Sequence, residues 1–543
     1  MKRSHYSVIT AILGVIIGVM ATMLAFNRYH HKQKVVVEYD VVVKYDGDYS
    51  QWRKLNLILE QVEQNYVDTF DFQAMTDAAV VAALAELDPH SVYLPPVELT
   101  EADTELSGNF DGIGITFNVP SDTAIVLNVI PGGPSEKAGL APGDRILKVD
   151  DKVIAGTNTP QDSMVSRIKG PSGTKVKLLV KRDKENITFD ITRGKIPVHS
   201  IDAAFMVNDS TGYMKLTSFT RTTYQEFLIS SSKLLFQGMT HLILDVRSNG
   251  GGYFDQAMYI CNEFLEAGEG IVYMEGLNRA REDYNADGYG LLKDVNLTVL
   301  IDESSASSSE IVAGAIQDND RGLIVGRRSF GKGLVQEPIY FTDGSGIRLT
   351  VSRFHTPSGR CIQKPYEKSD DYIYDLLDRY AHGEMTTADS VKVDTTMVYH
   401  TRMGRKVYGG GGIIPDVFVP MDTTIASDFY ISCANKATTM RFATVMFDKY
   451  KAELSEIDDF TALEQYLNHI DIESQFLDYA SKVDGINLKE GEWETSRGYM
   501  LPQVNALVGR FSKLGEEAFN RFYLPIDDTI LEAIEHGGKR PEL

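Results

Sequence analysis

The stretch Val295-Asn-Leu-Thr-Val-Leu-Ile-Asp-Glu-Ser-Ser-Ala-Ser-Ser-Ser-Glu310 decides the frame of this chain. Its apolar first half, Val295 to Ile301, predicts a buried strand. A crowd of small hydroxyls follows, and then Ile311-Val-Ala-Gly-Ala-Ile-Gln317 reads as a helix. Glu310 falls in the first turn of that helix, where an acid suits the dipole. Ser307 therefore stands at a strand-to-helix turn, where free backbone N–H groups can meet an oxyanion. A serine-rich helix cap without chemistry would produce the same letters.

Two further apolar runs, Leu242 to Val246 and Leu323 to Gly326, alternate with helical segments between about 196 and 420, which is an α/β pattern. The first opens Leu242-Ile-Leu-Asp-Val-Arg-Ser-Asn-Gly-Gly-Gly-Tyr253, and its glycines let backbone N–H groups approach a ligand closely. Asp245 and Arg247 are placed to brace that turn by ion pairing. The third run leads to Phe330-Gly-Lys-Gly-Leu-Val-Gln336, with Lys332 25 residues past Ser307. A lysine kept neutral by burial accepts a serine proton without any histidine. The segment Gly326 to Gly333 nearly fits a phosphate-binding loop. However, Gly333 stands where the metal-binding hydroxyl belongs, and a strand rather than a helix is predicted to follow. A serine–histidine pair using His355 is a further alternative, with no orienting acid in view.

The chain is 543 residues long, too many for one core. Its formal charge of −22 argues against nucleic-acid partners, which need a basic surface. Three scattered cysteines, Cys261, Cys361 and Cys433, support neither a disulfide framework nor a metal site. Ser7 to Phe26 carries no charge and is long enough to cross a bilayer, with Lys2 and Arg3 as a cytoplasmic flank. A membrane anchor or a signal over 1–27 is expected, with the body outside the cytoplasm. A linker over 28–50 and a helical region over 51–106 follow. Residues 107–195 alternate short strands with glycine turns and predict a small β-rich domain. The α/β core takes 196–420, with an acidic surface insertion expected from Asp370 to Ala388. Residues 421–543 read as helical.

Four motifs in this order, Asp-x-Arg-x-Asn-x-Gly-Gly, Ser-x-Ser-x-Ser-Glu, Gly-Lys-Gly-x-Val-Gln and, earlier, Ala138-Gly-Leu-x-x-Gly-Asp-x-Ile146, give the chain a family likeness. From about residue 55 to 420 it resembles the C-terminal processing, or tail-specific, proteases. The resemblance implies an α/β core of the crotonase- and ClpP-like kind, with a PDZ domain over 107–195. It implies a serine endopeptidase with Ser307 as nucleophile, Lys332 as general base and Gln336 orienting the lysine. The N–H groups of Ser308 and Gly251, or Gly252, would form the oxyanion hole. Relatives often carry Ala where this chain has Ser308, which leaves that donor intact. Gly112, Ile113, Gly114 and Ile115 would receive the C-terminal carboxylate of polypeptides with small or apolar tails. No cofactor and no metal are implied, while a homo-oligomer or an adaptor stays open. The Lys332 amine is expected to be buried, within hydrogen-bond reach of both Ser307 and Gln336. A catalytically silent, membrane-tethered scaffold that binds peptide tails is the rival reading.

Overall fold

The computed structural model describes residues 50–119, 122–366 and 369–541. The expected anchor over Ser7 to Phe26 lies outside the described residues. Among the described residues no helix is long and apolar enough to cross a membrane.

The chain divides into two compact units. The smaller takes residues up to Leu99 together with Pro338–Leu349. Within it, two helices, Ser50–Asn65 and Phe72–Ala85, precede a short strand, Val92–Leu94, that pairs antiparallel with Gly346 to Arg348. Asp71 caps the second helix by accepting from the Ala74 N–H, as an N-cap acid should.

The larger unit is built on a six-stranded sheet. Its strands, in both spatial and chain order, are β1 (Ile201–Met206), β2 (Thr211–Leu216), β3 (His241–Asp245), β4 (Asn296–Ile301), β5 (Leu323–Gly326) and β6 (Val417–Phe418). β1 and β2 are antiparallel, and every later pairing is parallel. Alternate residues divide the apolar load between the two faces. Leu242, Leu244, Leu297, Val299, Ile301 and Ile324 join one cluster; Ile243, Leu300, Leu323 and Val325 join another. Helices α1 (Thr223–Phe236), α2 (Phe254–Asn262) and α3 (Ser308–Asp318) contribute to the first cluster. Every residue of α3 is buried, so this helix is core on all sides.

Residues 113–191 enclose their own apolar cluster between a six-stranded antiparallel sheet and two short helices. The segment Ile115–Asn118 forms an edge of that sheet. The chain after about 421 packs into a helical bundle, and part of it returns to the α/β core. Its last helix, Asp528–His536, places Ile530 and Ala533 in the second cluster of the six-stranded sheet. A longer helix, Thr438–Leu454, faces the β-rich domain: Thr444 accepts from Asn118 at 3.0 Å, and Asp448 takes both ends of the Arg145 guanidinium. The insertion expected on the surface is only half exposed. Helix α4 (Ser369–Ala381) buries Tyr372 and Arg379, and Glu384 just after it is buried as well.

At the start of β3, His241 is 3 % exposed, its Nε2 lies 3.0 Å from Thr298 Oγ1, and the Gly538 backbone closes over its ring. Burial lowers its pKa from 6.5 to about 4. Because the folded value lies below the unfolded one, this group's contribution is complete above pH 6.5 and is lost as pH falls toward 4. Its full size is about 3 kcal/mol. Urea titrations at pH 7 and pH 4.5 should show the wild type losing about 2–3 kcal/mol more than His241→Gln. Equal losses would remove the histidine from the acid response.

Candidate active site

Three segments converge at the C-terminal edge of the parallel strands, where α/β sheets build their sites. The first is the glycine turn after β3. The Asp245 carboxylate, fully buried, accepts from the Tyr213 hydroxyl at 2.8 Å, Lys215 Nζ at 3.1 Å and three nitrogens of Arg247 at 2.7–3.0 Å. Burial pushes this carboxyl up, but Arg247 and Lys215 hold it far below the usual carboxylate range. Arg247 also grips Asp527 at 2.8 and 2.9 Å, so the cap of the last helix braces the turn. Nothing local in the sequence points to Asp527, which lies 280 residues away.

Asn249 then joins the glycine turn to the serine cluster. Its Nδ2 donates to the Leu216 carbonyl at 2.9 Å, and its own carbonyl accepts from the Ala306 N–H and the Ser309 hydroxyl. Gly251 has φ +102°, and a Cβ there would stand 2.8 Å from Ser307 Cβ and 3.0 Å from Ser308 N. A Cβ at Gly252, φ +143°, would collide with the Phe219 carbonyl oxygen at 2.1 Å. Only glycine permits this approach at either position. The Gly251 N–H donates to Asn249 Oδ1 at 2.9 Å and is therefore committed. Among the described residues, no group accepts from the N–H of Gly252 or of Ser308. Of the two glycines named for the oxyanion hole, Gly252 is thus the one with its donor open.

The second segment is the serine turn, where the structure separates the cluster's members. The hydroxyls of Ser305, Ser308 and Ser309 donate to the carbonyls of Val246, Gly252 and Asn249 at 2.8–3.0 Å. Ser307 alone in the cluster holds a positive φ, with φ 52° and ψ −112°. A non-glycine residue in that region is strained by roughly 1–3 kcal/mol and persists only where its surroundings enforce it. Strand-to-helix turns of this kind lift a nucleophilic serine clear of the backbone at the tip of a buried helix.

Glu310 does the enforcing. It is fully buried and accepts four hydrogen bonds: Ser307 N at 2.9 Å and Lys332 N at 2.8 Å on Oε2, and Gly331 N at 2.7 Å and the Ser329 hydroxyl at 2.5 Å on Oε1. Burial raises its pKa, and the four donors oppose that rise. One carboxylate thus pins the serine turn to the lysine loop. It also fills with an acid the N–H groups that a phosphate loop would offer to an anion, which ends that reading. Leu334–Tyr340 is a strand, as a phosphate loop would not allow.

The third segment carries Lys332, whose Nζ donates to Gln336 Oε1 at 3.1 Å. Two expectations for this lysine are corrected. It is half-buried rather than buried, and no hydrogen bond joins its Nζ to Ser307 Oγ. Its backbone N–H is fixed by Glu310, while the amine sits at the end of four rotatable bonds. His355 stacks on Tyr273 at 4.6 Å, with its nitrogens facing the Gly359 carbonyl and Glu275. None of these partners is a serine.

In the β-rich domain, Gly114 adopts φ +76° with the Ile196 side chain 3.0 Å from a would-be Cβ, and Ile115 opens the edge strand. Ile113 is buried, and its carbonyl accepts from Ser135 N–H. Its contribution to a carboxylate loop is therefore limited to backbone. Gly112 ends a strand paired with Gly194–Pro197.

Site and fold together define a serine-type peptidase carrying a PDZ domain, a module that binds peptide C-termini. The profile of Peptidase family S41 matches residues 210–372, and that of the PDZ domain matches residues 112–192. The carboxy-terminal processing protease CtpA of Bacillus subtilis is 33 % identical over 368 residues, covering 65 % of this chain and 77 % of that protein. A carboxy-terminal-processing protease of Bartonella bacilliformis is 35 % identical, covering 58 % and 73 %. The solved photosystem II D1 C-terminal processing protease is 26 % identical, covering 69 % and 88 % at a TM-score of 0.38. The chain belongs to peptidase family S41, among the carboxy-terminal processing proteases.

Proposed function

We propose that this chain is an endopeptidase that selects polypeptides by their apolar C-terminal tails and cleaves them with a Ser307–Lys332 dyad on a crotonase-like core. The observation that carries the reading is Glu310, whose single carboxylate holds the N–H groups of both Ser307 and Lys332. Ser307 Oγ attacks the scissile carbonyl carbon, and its proton passes to neutral Lys332 Nζ, which Gln336 orients. The N–H groups of Ser308 and Gly252 take the oxyanion. As the C–N bond breaks, the lysine ammonium returns the proton to the leaving amine, and an acyl-enzyme remains. Water, deprotonated by the same amine, then releases the new carboxylate and restores Ser307. The uncharged run Ser7 to Phe26 behind Lys2 and Arg3 supports an anchored body on the extracytoplasmic side.

The tail-reading role is tested with an unfolded reporter protein carrying or lacking an apolar C-terminal tail. The wild type should cleave the tailed form with the lower KM. Gly114→Val, which places a β-branched residue at φ +76° against Ile196, should raise KM for the tailed reporter about tenfold and leave the tailless one unchanged. Equal cleavage of both reporters by the wild type would end the PDZ-selection reading.

A further inference from the structure

The segment after the lysine loop reads as a solvated acidic insertion, yet its charged residues turn inward. Arg379 of α4 is 5 % exposed, and its guanidinium donates to the carbonyls of Arg328 at 2.6 Å and Ser329 at 3.2 Å. Both carbonyls lie in the loop that presents Lys332. Glu384 receives Arg379 Nε at 2.8 Å and two nitrogens of Arg328 at 2.7 Å each, which closes a buried triad around the loop's first turn. Tyr372, two helical turns before Arg379, meets the ring of Phe330 edge-on at 6.1 Å. Lys364 lies over both rings, 4.0 and 4.3 Å from their centroids, while pairing with Asp375 of α4 at 2.9 Å. Its N–H also donates to the Gly331 carbonyl. The loop is thus gripped from behind at Arg328, Ser329, Phe330 and Gly331, four consecutive residues that end where Lys332 begins.

We infer that helix α4 and Glu384 brace the Lys332 loop, and that Arg379 is a positioning residue for the peptidase reaction. The connection is continuous in hydrogen bonds. Arg379 holds Ser329 by its carbonyl. The Ser329 hydroxyl donates to Glu310, and Glu310 holds the N–H groups of Ser307 and Lys332. The face of α4 that makes these contacts is Tyr372, Asp375 and Arg379, at the i, i+3, i+7 spacing of one helix side. Ile373 and Leu377 lie on the other side, each 67 % exposed. A base whose amine already ends a long flexible side chain tolerates little further play in its backbone, since a misplacement of about 1 Å can cost about 100-fold in rate.

This inference rests on the Ser307–Lys332 reading, and the experiment separates the two. Wild type, Ser307→Ala, Arg379→Gln, Arg379→Lys, Tyr372→Leu and Ile373→Ser are assayed on the tailed reporter for kcat and KM, with thermal unfolding followed alongside. Arg379→Gln leaves Glu384 still paired with Arg328, so a folded protein is expected. Its kcat should fall about 10- to 100-fold with KM within about twofold, and the pH profile of kcat should move with the displaced amine. Arg379→Lys, which keeps a donor, should recover part of the loss. Tyr372→Leu should lower kcat about 3- to 10-fold, by a lesser displacement of the same loop. Ile373→Ser should match the wild type. Should Arg379→Gln not fold, Tyr372→Leu decides: wild-type kcat in that folded variant overturns the brace. Wild-type kcat in folded Arg379→Gln overturns it as well, as does a loss that follows only the unfolded fraction. A wild type no faster than Ser307→Ala would instead overturn the catalytic reading.

Discussion

Ser307→Ala should reduce turnover of the tailed reporter by at least about 10³-fold while leaving the unfolding midpoint unchanged. Alanine keeps the Cβ that packs against Gly251 and keeps the N–H that Glu310 accepts, so only the hydroxyl is lost. Lys332→Met should match this loss, because a serine without its base is as inert as a base without its serine. The double variant should be no worse than either single one, since groups that act as a unit are not additive. Lys332→Arg should not rescue, because a guanidinium stays protonated at any working pH and has no lone pair to accept the serine proton. Cleavage by Lys332→Met at more than about a tenth of the wild-type rate would rule out the dyad. Loss in Ser307→Ala with retention in Lys332→Met would leave the nucleophile and send the search for another base.

Much of this site could be read from the letters because it is local. Val295 to Ile301 shows its strand, the hydroxyls show the turn, and the glycines after Asn249 show where backbone must approach backbone. Each is a property of a few consecutive residues. What could not be read depends on contacts across the fold. Glu310 looked like an ordinary acid in a helical first turn, and that role is genuine, since it accepts from the N-cap Ser307 N–H. Its other three donors arrive from residues 19 to 22 positions downstream, brought in by the parallel pairing of β4 and β5. Arg379 and Asp375, within the segment expected on the surface, are hidden from the sequence for a different reason. A charged residue scores as surface in any hydropathy pattern, yet a charge that finds a carbonyl or a counter-ion at every donor can be buried. The distinction between Gly251 and Gly252 was likewise out of reach, because it turns on which N–H the Asn249 side chain occupies.

Glu310→Gln should cost more activity than its conservative appearance suggests. The carboxylate meets two donors at each oxygen, Ser307 N and Lys332 N on one side, Gly331 N and the Ser329 hydroxyl on the other. An amide offers one acceptor oxygen and one donor NH2. Whichever way the side chain turns, the NH2 faces donors in a site with no exposure to water. The Ser329 hydroxyl can rotate away, whereas the backbone N–H groups cannot. The amide should therefore place its oxygen toward Ser307 and Lys332, leaving Gly331 unsatisfied. At about 1–3 kcal/mol for a buried unsatisfied donor, the variant should be destabilised by about 2 kcal/mol and remain folded. The lysine loop would then lose two of its three hydrogen bonds to residue 310. We expect kcat to fall about 10²-fold with KM little changed, because the PDZ domain is untouched. Glu310→Ala should go further, since it frees the Ser307 N–H as well and removes what enforces its strained φ of 52°. That variant should lose activity about as completely as Ser307→Ala, with the difference that its stability falls too. Measuring kcat, KM and the urea midpoint for both variants decides the matter. Full kcat in Glu310→Gln would mean that the two segments are held together by the surrounding backbone bonds, such as Phe330 N to the Ser305 carbonyl, and that the carboxylate contributes stability alone.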